Sequence, residues 1–139
     1  MKPISYRSLH KYKYQLMEGA YTKIFLDISE TITGANGFVC ISPTGKKGEA
    51  LVEVEKGYCW DGCSGPTVDT KTSMRASLFH DAFYQLMREA KLPYKFVGNA
   101  DRIFYRMLKE DGMNKFRAWY YYKGVNTWFA HRNARPRKK

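Results

Sequence analysis

Residues 75–87 read RASLFHDAFYQLM, and this stretch decides how the second half of the chain folds. Its apolar residues recur at the i, i+3, i+4, i+7 spacing that predicts an amphipathic helix with one buried face. Thr72 or Ser73 can cap the start of this helix, and Leu92-Pro93 is expected to end it. The apolar positions are Leu78, Phe79, Ala82, Phe83, Leu86, Met87 and, just beyond, Ala90.

Two further helices are predicted on the carboxyl side of this stretch. One runs from about Asn99 to Glu110 and is stopped by Asp111-Gly112. The other begins near Asn114 and extends toward Trp128, with Gly124 leaving open whether it is continuous.

The first half of the chain alternates polar and apolar residues, which is typical of strands with one buried face. Strands are predicted at residues 11–16, 21–28, 38–42 and 50–55, with a turn at 43–48 joining the last two. They indicate a small antiparallel sheet with one solvated face. Strands followed by helices predict an α+β fold, with one domain over residues 1–130 and a basic tail over 131–139.

The chain is strongly basic, with 24 Lys and Arg against 13 Asp and Glu and a formal net charge of +11. The last nine residues, HRNARPRKK, contribute five of these charges, so the rest of the chain still carries about +6. This balance favours anionic partners, either nucleic acid or anionic lipid headgroups.

The three cysteines, Cys40, Cys59 and Cys63, do not resemble a disulfide framework, because their number is odd and small. Cys59 and Cys63 lack a second pair or a nearby histidine and make a poor zinc site. The sequence shows no apolar segment of the ~18 residues that a membrane span needs and no signal peptide. We therefore expect a protein of a reducing cytosol.

The candidate site begins at His80 in the first helix. His80 and Tyr84 are i, i+4 and share a face, whereas Asp81 points about 100° away from His80. One helical turn can thus present a general base and a carboxylate ligand, and histidine suits the first role because its ordinary pKa is near 6.5. The preceding loop, residues 57–67, is rich in glycine and aromatic residues, as ligand-holding loops often are.

Structural roles compete with these assignments. His80 is alternatively a core histidine, Asp81 a carboxylate near a helix N-terminus, and Asp101 a helix-capping residue. Tyr58 and Trp60 are expected to pack in the core. The run of tyrosines at 120–122 covers consecutive helix faces, so at least one is exposed and could stack on bases.

Four motifs resemble a family of phage and prophage proteins, the domain-of-unknown-function family 1353. They are WDGCSGPT at 60–67, RASLFHDAFYQLM at 75–87, ADRIFYRML at 100–108 and GMNKFRAWYYYKGV at 112–125. The resemblance spans about residues 58–128 and implies a phage protein of the host cytoplasm or the virion. It implies no activity.

The same landmarks resemble, more distantly, the secreted phospholipase A2 superfamily. The shared features are an Asp-Gly-Cys loop, a His-Asp-x-x-Tyr helix and a partner helix with Asp-x-x-Phe. By that resemblance His80 is the base that activates water, Tyr84 belongs to the catalytic group, and Asp101 orients the histidine. Asp81 binds calcium, and Asp61 with carbonyls around Gly62 completes the metal shell.

A contact between His80 and Asp101 requires the segment that joins their helices to cover a certain distance. A direct hairpin after Leu92 leaves Asp101 roughly 15 Å along the axis from His80. An extended return of residues 93–98 covers up to ~20 Å and brings the two together. The sequence leaves open whether this segment is extended, and only in that case are the two expected to meet.

Three functions follow from these observations. The first is calcium-dependent hydrolysis of an acyl ester, such as a phospholipid of an anionic membrane. The second is a non-catalytic virion or host-interaction protein, in which Asp61 pairs with Arg75 or Arg102. The third is nucleic-acid binding through the basic surface.

Overall fold

A computed structural model describes residues 4–9, 14–62 and 70–136 and confirms the α+β fold. Its strands come first in the chain and its helices second. The strands are β1 (Tyr6–Ser8), β2 (Tyr14–Leu16), β3 (Ala20–Phe25), β4 (Ile32–Gly34), β5 (Val39–Pro43), β6 (Glu49–Val54) and β7 (Cys59–Trp60). The helices are α1 (Met74–Arg88), α2 (Val97–Glu110), α3 (Lys115–Val125) and α4 (Trp128–His131), with short 3-10 turns at Tyr94–Phe96 and Arg132–Ala134.

The strands form two small antiparallel sheets where one sheet was expected. One has the order β1-β2-β7 and the other β3-β6-β5-β4. In β6 the predicted alternation holds, because Val52 and Val54 are buried whereas Glu53 is exposed. The three strands that the sequence pattern missed, β1, β4 and β7, have only two or three residues, too few to show an alternation.

The predicted strand bounds need small corrections. The strand expected over 21–28 ends at Phe25. The strand expected over 11–16 is present as β2, and residues 11–13 lie outside the described part of the chain. The segment at 57–67, expected to be entirely loop, contributes β7, while Cys63 and the rest of its carboxyl end lie outside the described residues.

Helix α1 connects the two sheets to each other and to α2. Its buried residues include Leu78, Phe79 and Leu86, each at most 1 % exposed. Trp60 of β7 donates its indole N–H to Ser77 Oγ at 3.0 Å. The Ala35 amide, just after β4, donates to Glu89 Oε1 at 2.8 Å. Both sheets are therefore joined to this helix by polar bonds as well as by apolar packing.

Helices α1 and α2 are antiparallel neighbours. Arg75, at the start of α1, forms ion pairs of 3.0 and 3.1 Å with Glu110 and Asp111 at the end of α2. Helix α1 ends at Arg88, before the predicted stop at Leu92, because Ala90 adopts a left-handed conformation with φ +59°.

The extended path that was left open for residues 93–98 is not found, and the contact between the two helices does not need it. The 3-10 turn at Tyr94–Phe96 leads directly into α2, which begins at Val97 and not at Asn99. His80 lies about 12 Å from the end of α1 and Asp101 about 6 Å from the start of α2, at ~1.5 Å per residue. Only about 6 Å of axial offset remains, and the turn spans it without an extended segment.

The third predicted helix is two helices. Asn114 caps α3 by accepting hydrogen bonds from the amides of Phe116 and Arg117. Helix α3 ends at Val125, and Thr127 caps the short α4 by accepting from the Ala130 amide. None of the helices in the described residues is long and apolar enough to cross a membrane.

A substitution at Gly34 of β4 tests how closely α1 packs on the larger sheet. A Cβ atom at this position would lie 2.4 Å from Leu86 Cδ2 and 2.8 Å from Glu89 Oε1. Leu86 is fully buried and has no room to move, and Glu89 would have to give up its bond to the Ala35 amide. We expect Gly34→Ala to lower the free energy of unfolding by about 1–3 kcal/mol, measured by urea denaturation.

Gly98→Ala is the matched control for this substitution. Its Cβ would lie 3.5 Å from the nearest atom, Arg102 Nη1, and alanine favours the helix, so stability should hold or rise by up to ~1 kcal/mol. Equal stability of the two variants would contradict the close packing of α1 on β4.

Candidate functional site

The Asp101 carboxylate is the centre of the candidate site. It lies in the second turn of α2, is fully buried, and accepts hydrogen bonds from three side chains. Oδ1 receives His80 Nε2 at 2.7 Å and the Tyr84 hydroxyl at 2.8 Å, and Oδ2 receives His131 Nε2 at 2.6 Å. We call Asp101, His80, Tyr84 and His131 the Asp101 cluster. An ionised carboxylate only accepts hydrogen bonds, so each imidazole donates from Nε2.

His80 is held in one orientation by this bond and by two aromatic neighbours. Its ring centroid is 4.1 Å from that of Tyr84 and 5.0 Å from that of Phe104. With Nε2 donating to Asp101, the neutral ring carries its lone pair on Nδ1. Nδ1 makes no hydrogen bond to any of the described residues. The buried carboxylate therefore fixes the tautomer of His80 and leaves Nδ1 as the acceptor.

Tyr84 supports the carboxylate and does not itself offer a reactive group. Burial raises the pKa of its hydroxyl, and the negative charge of Asp101 raises that pKa further. The phenol consequently stays neutral and remains a hydrogen-bond donor. Because its hydroxyl contacts Asp101, Tyr84 is a positioning residue within the group predicted from the sequence.

The three residues predicted to bind a metal lie beside His80. Asp81 is partly exposed, and its Oδ2 accepts the Asp61 amide at 3.4 Å. Gly62 follows with φ +83°, a conformation that a glycine adopts without strain. A cleft of about 330 Å³ brings these residues and His80 together; its lining is Asp61, Gly62, Ser77, His80, Asp81, Tyr84, Arg88, Phe104, Val125, Ala130 and Asn133.

The oxygen-bearing groups at this cleft are of the chemical type that calcium binds. Calcium binds six to eight oxygen atoms and favours carboxylates, carbonyls and water. Asp61 and Asp81 carry carboxylates at the cleft, and Gly62 lines it beside them. No group of three or more His, Cys, Asp or Glu side chains within the described residues could hold a metal. Carbonyls and water would therefore have to supply most of the ligands.

Sequence reasoning missed His131. This residue was assigned to the basic tail, yet it ends α4 and binds Asp101. The next residues pack on α1: Ala134 is fully buried, and the Asn133 carbonyl accepts from Arg88 Nη1 at 2.9 Å. Thr127, a good helix-capping residue just before α4, is the one signal in the sequence that could have indicated order here.

The structure also decides several competing assignments. Asp101 does not cap α2, which begins four residues earlier, and Asp81 is the eighth residue of α1, far from its first turn. Arg75, offered as a partner of Asp61, forms its ion pairs with Glu110 and Asp111.

Tyr58 and Trp60 are buried, which confirms their packing role. Each also makes a polar bond to α1: the Tyr58 hydroxyl donates to Gln85 at 2.8 Å, and the Trp60 indole donates to Ser77. Burial raises the pKa of the Tyr58 hydroxyl, so this tyrosine too stays neutral.

Residues 38–125 match the model of a family described as "Protein of unknown function (DUF1353)". The chain belongs to this family. The match contains every site residue predicted from the sequence, whereas His131 of the DUF1353 protein lies beyond its end. No curated protein and no solved structure matches the chain.

Substitutions of two buried tyrosines test whether Asp101 is charged. Tyr84→Phe removes a hydrogen bond to the carboxylate, and Tyr58→Phe removes one of equal length, 2.8 Å, to the neutral amide of Gln85. A bond to a charged acceptor contributes about 1.5–3 kcal/mol and a neutral one about 0.5–1.5 kcal/mol. Chemical denaturation should therefore show the larger loss of stability for Tyr84→Phe. The reverse order would argue against an ionised Asp101.

Proposed function

We propose that this DUF1353 protein hydrolyses an acyl ester, with His80 as the base that activates water. The observation that carries the proposal is the bond from His80 Nε2 to the buried Asp101 carboxylate, which leaves Nδ1 as the acceptor on the neutral ring. His80 also lines a cleft large enough for part of a substrate, together with the carboxylates of Asp61 and Asp81. The resemblance of the His-Asp-x-x-Tyr helix to phospholipase A2 supports the same chemistry.

The proposed reaction needs one proton-transfer group and one water. His80 Nδ1 takes a proton from the water as its oxygen attacks the ester carbonyl carbon, which gives a tetrahedral intermediate. The imidazolium then returns this proton to the alcohol oxygen as the C–O bond breaks, releasing a carboxylic acid and an alcohol. Asp101 stabilises the transient imidazolium and holds the ring, while Tyr84 and His131 hold Asp101.

Calcium is the proposed cofactor of this reaction. Asp81 and Asp61 would hold it, together with backbone carbonyls around Gly62. When bound, it supplies a positive charge that polarises the ester carbonyl. The cleft is also lined by Phe104, Val125 and Ala130, whose apolar surface suits an acyl chain.

The proposed setting is a phage-encoded step that attacks lipids of the host envelope. It rests on the motifs that resemble phage and prophage proteins and on the net charge of +11, which favours anionic surfaces. A purely structural role for the Asp101 cluster is the alternative that the experiments below separate from catalysis.

His80→Gln should slow hydrolysis strongly without unfolding the protein. Fatty-acid release would be followed on a short-chain soluble phospholipid and on phospholipid vesicles, each with calcium and with chelator. Because general-base catalysis contributes typically 10²–10⁴-fold, kcat should fall by about that factor in the variant. His131→Gln should lower kcat less, since His131 acts only through Asp101.

Two results would overturn the proposal. One is the absence of calcium-dependent release by the wild-type protein from either substrate. The other is full activity of His80→Gln. If His80→Gln lowers only the melting temperature, the Asp101 cluster is structural.

Calcium binding is testable without any substrate. A ligand that binds only the folded state stabilises it by about 2.7 kcal/mol at a hundred times its Kd, so calcium should raise the melting temperature of the wild type. Asp81→Asn should remove this shift. Asp27→Asn, an exposed carboxylate after β3, is the matched control and should keep it. Equal shifts in the two variants would exclude Asp81 as a ligand.

A further inference from the structure

Helix α3 presents large aromatic side chains to solvent. Phe116 is 77 % exposed, Trp119 46 % and Tyr120 48 %. Their i, i+3, i+4 spacing puts them on one face of the helix. The opposite face, with Ala118 and Tyr121, is buried and attaches α3 to the core. The exposed rings are therefore not needed to hold the helix in place.

Positive charges surround these rings. Lys115, Arg117 and Lys123 are exposed, and α3 contains no Asp or Glu. The Lys123 ammonium lies 5.7 Å from the centroid of the Trp119 ring. We call Lys115, Phe116, Trp119, Tyr120 and Lys123 the aromatic–basic face. It combines apolar area with charge of a single sign.

We propose that the aromatic–basic face docks the protein on an anionic phospholipid bilayer. Trp and Tyr rings favour the interfacial region of a membrane, where the ring body is apolar and its polar edge stays hydrated. Lysines beside them approach lipid phosphates, and their long aliphatic stems lie along the apolar region. Charge complementarity therefore selects an anionic bilayer over a neutral one.

The ring arrangement favours lipid over the other anionic partner, single-stranded nucleic acid. Base stacking uses open ring faces that successive bases can cover. Here the rings of Phe116 and Trp119 are tilted by 33° with centroids 6.2 Å apart, and Lys123 occupies one face of Trp119. Insertion into a headgroup layer requires only outward apolar surface, which these rings provide. Protein–protein interfaces are enriched in aromatic rings but depleted of lysine, so the two lysines of this face fit a lipid surface better than a protein partner.

The docking face and the candidate site share a helix. Val125, the last residue of α3, lines the cleft that contains His80. Phe116 lies nine residues before it, about 13 Å along the axis at ~1.5 Å per residue. A bilayer bound at α3 would thus lie close to the cleft. The docking proposal itself does not depend on hydrolysis by His80.

The test is sedimentation of the full chain with vesicles of phosphatidylcholine alone or of phosphatidylcholine and phosphatidylglycerol in equal parts. Chelator is present throughout, so that neither calcium bridging nor calcium-dependent hydrolysis contributes. We expect binding to the anionic vesicles only, weakening as salt rises. Phe116→Ser with Trp119→Ser should lower the partition coefficient at least ~10-fold, because two rings no longer leave water.

Matched variants test whether vesicle binding is specific to this face or is a property of any exposed rings and lysines. Tyr21→Ser with Phe25→Ser removes two rings that are each 71 % exposed on β3, and it should leave binding unchanged. Lys115→Gln with Lys123→Gln should weaken binding by roughly 5-fold per lysine, whereas the same change at Lys46 and Lys47, exposed in the β5–β6 turn, should have a much smaller effect. Melting curves confirm that each variant is folded.

Three outcomes would overturn the docking proposal. The first is failure of the wild type to bind anionic vesicles. The second is an equal loss of binding in the α3 and β3 ring variants. The third is binding to a single-stranded oligonucleotide, lost on removing the Phe116 and Trp119 rings, without vesicle binding. Loss of hydrolysis in His80→Gln with intact vesicle binding would leave the docking face established on its own.

Discussion

A buried carboxylate needs hydrogen-bond donors, and Asp101 obtains three of them from two other elements of the chain. Two come from consecutive turns of α1, through His80 and Tyr84, and one comes from α4, through His131. Leaving a charge buried without such partners costs several kcal/mol. The need of the Asp101 carboxylate for hydrogen-bond donors therefore fixes the relative positions of α1, α2 and α4.

This constraint acts on a helix that is already immobilised by the core. Helix α1 is buried along most of its length, and polar bonds attach it to β7 and to the turn after β4. A reactive side chain on such an element is positioned more accurately than one on a loop. His80 is therefore held on a rigid element, and its ring contacts Asp101, Tyr84 and Phe104.

The sequence predicted α1 and α2 because long amphipathic helices repeat their apolar pattern several times. It missed β1, β4 and β7, since strands of two or three residues have no pattern to repeat. Sequence reasoning also left open how the chain joins α1 to α2. The left-handed turn at Ala90 is decided by packing, and alanine gives no sign of it in the sequence.

The candidate site, like the fold, could be predicted only in part from the sequence. Residues close together in one helix, His80, Asp81 and Tyr84, were found from spacing, and Asp101 was found from a resemblance that pairs two motifs. His131 belongs to neither motif and reaches Asp101 only through the fold. Its neighbours in sequence are basic and resemble a solvated tail. The composition of this segment therefore gave no indication that His131 contacts Asp101.

The residues around the Asp101 cluster bear on whether the cluster is catalytic or structural. The carboxylate of Asp101 is satisfied by His80, Tyr84 and His131, and neither Asp61 nor Asp81 contributes to it. Both of these carboxylates lie at the cleft that His80 lines, and the His80 ring is held by Asp101. A reaction that uses a base and a bound cation accounts for both groups, and this is why the hydrolytic proposal is preferred over a structural one.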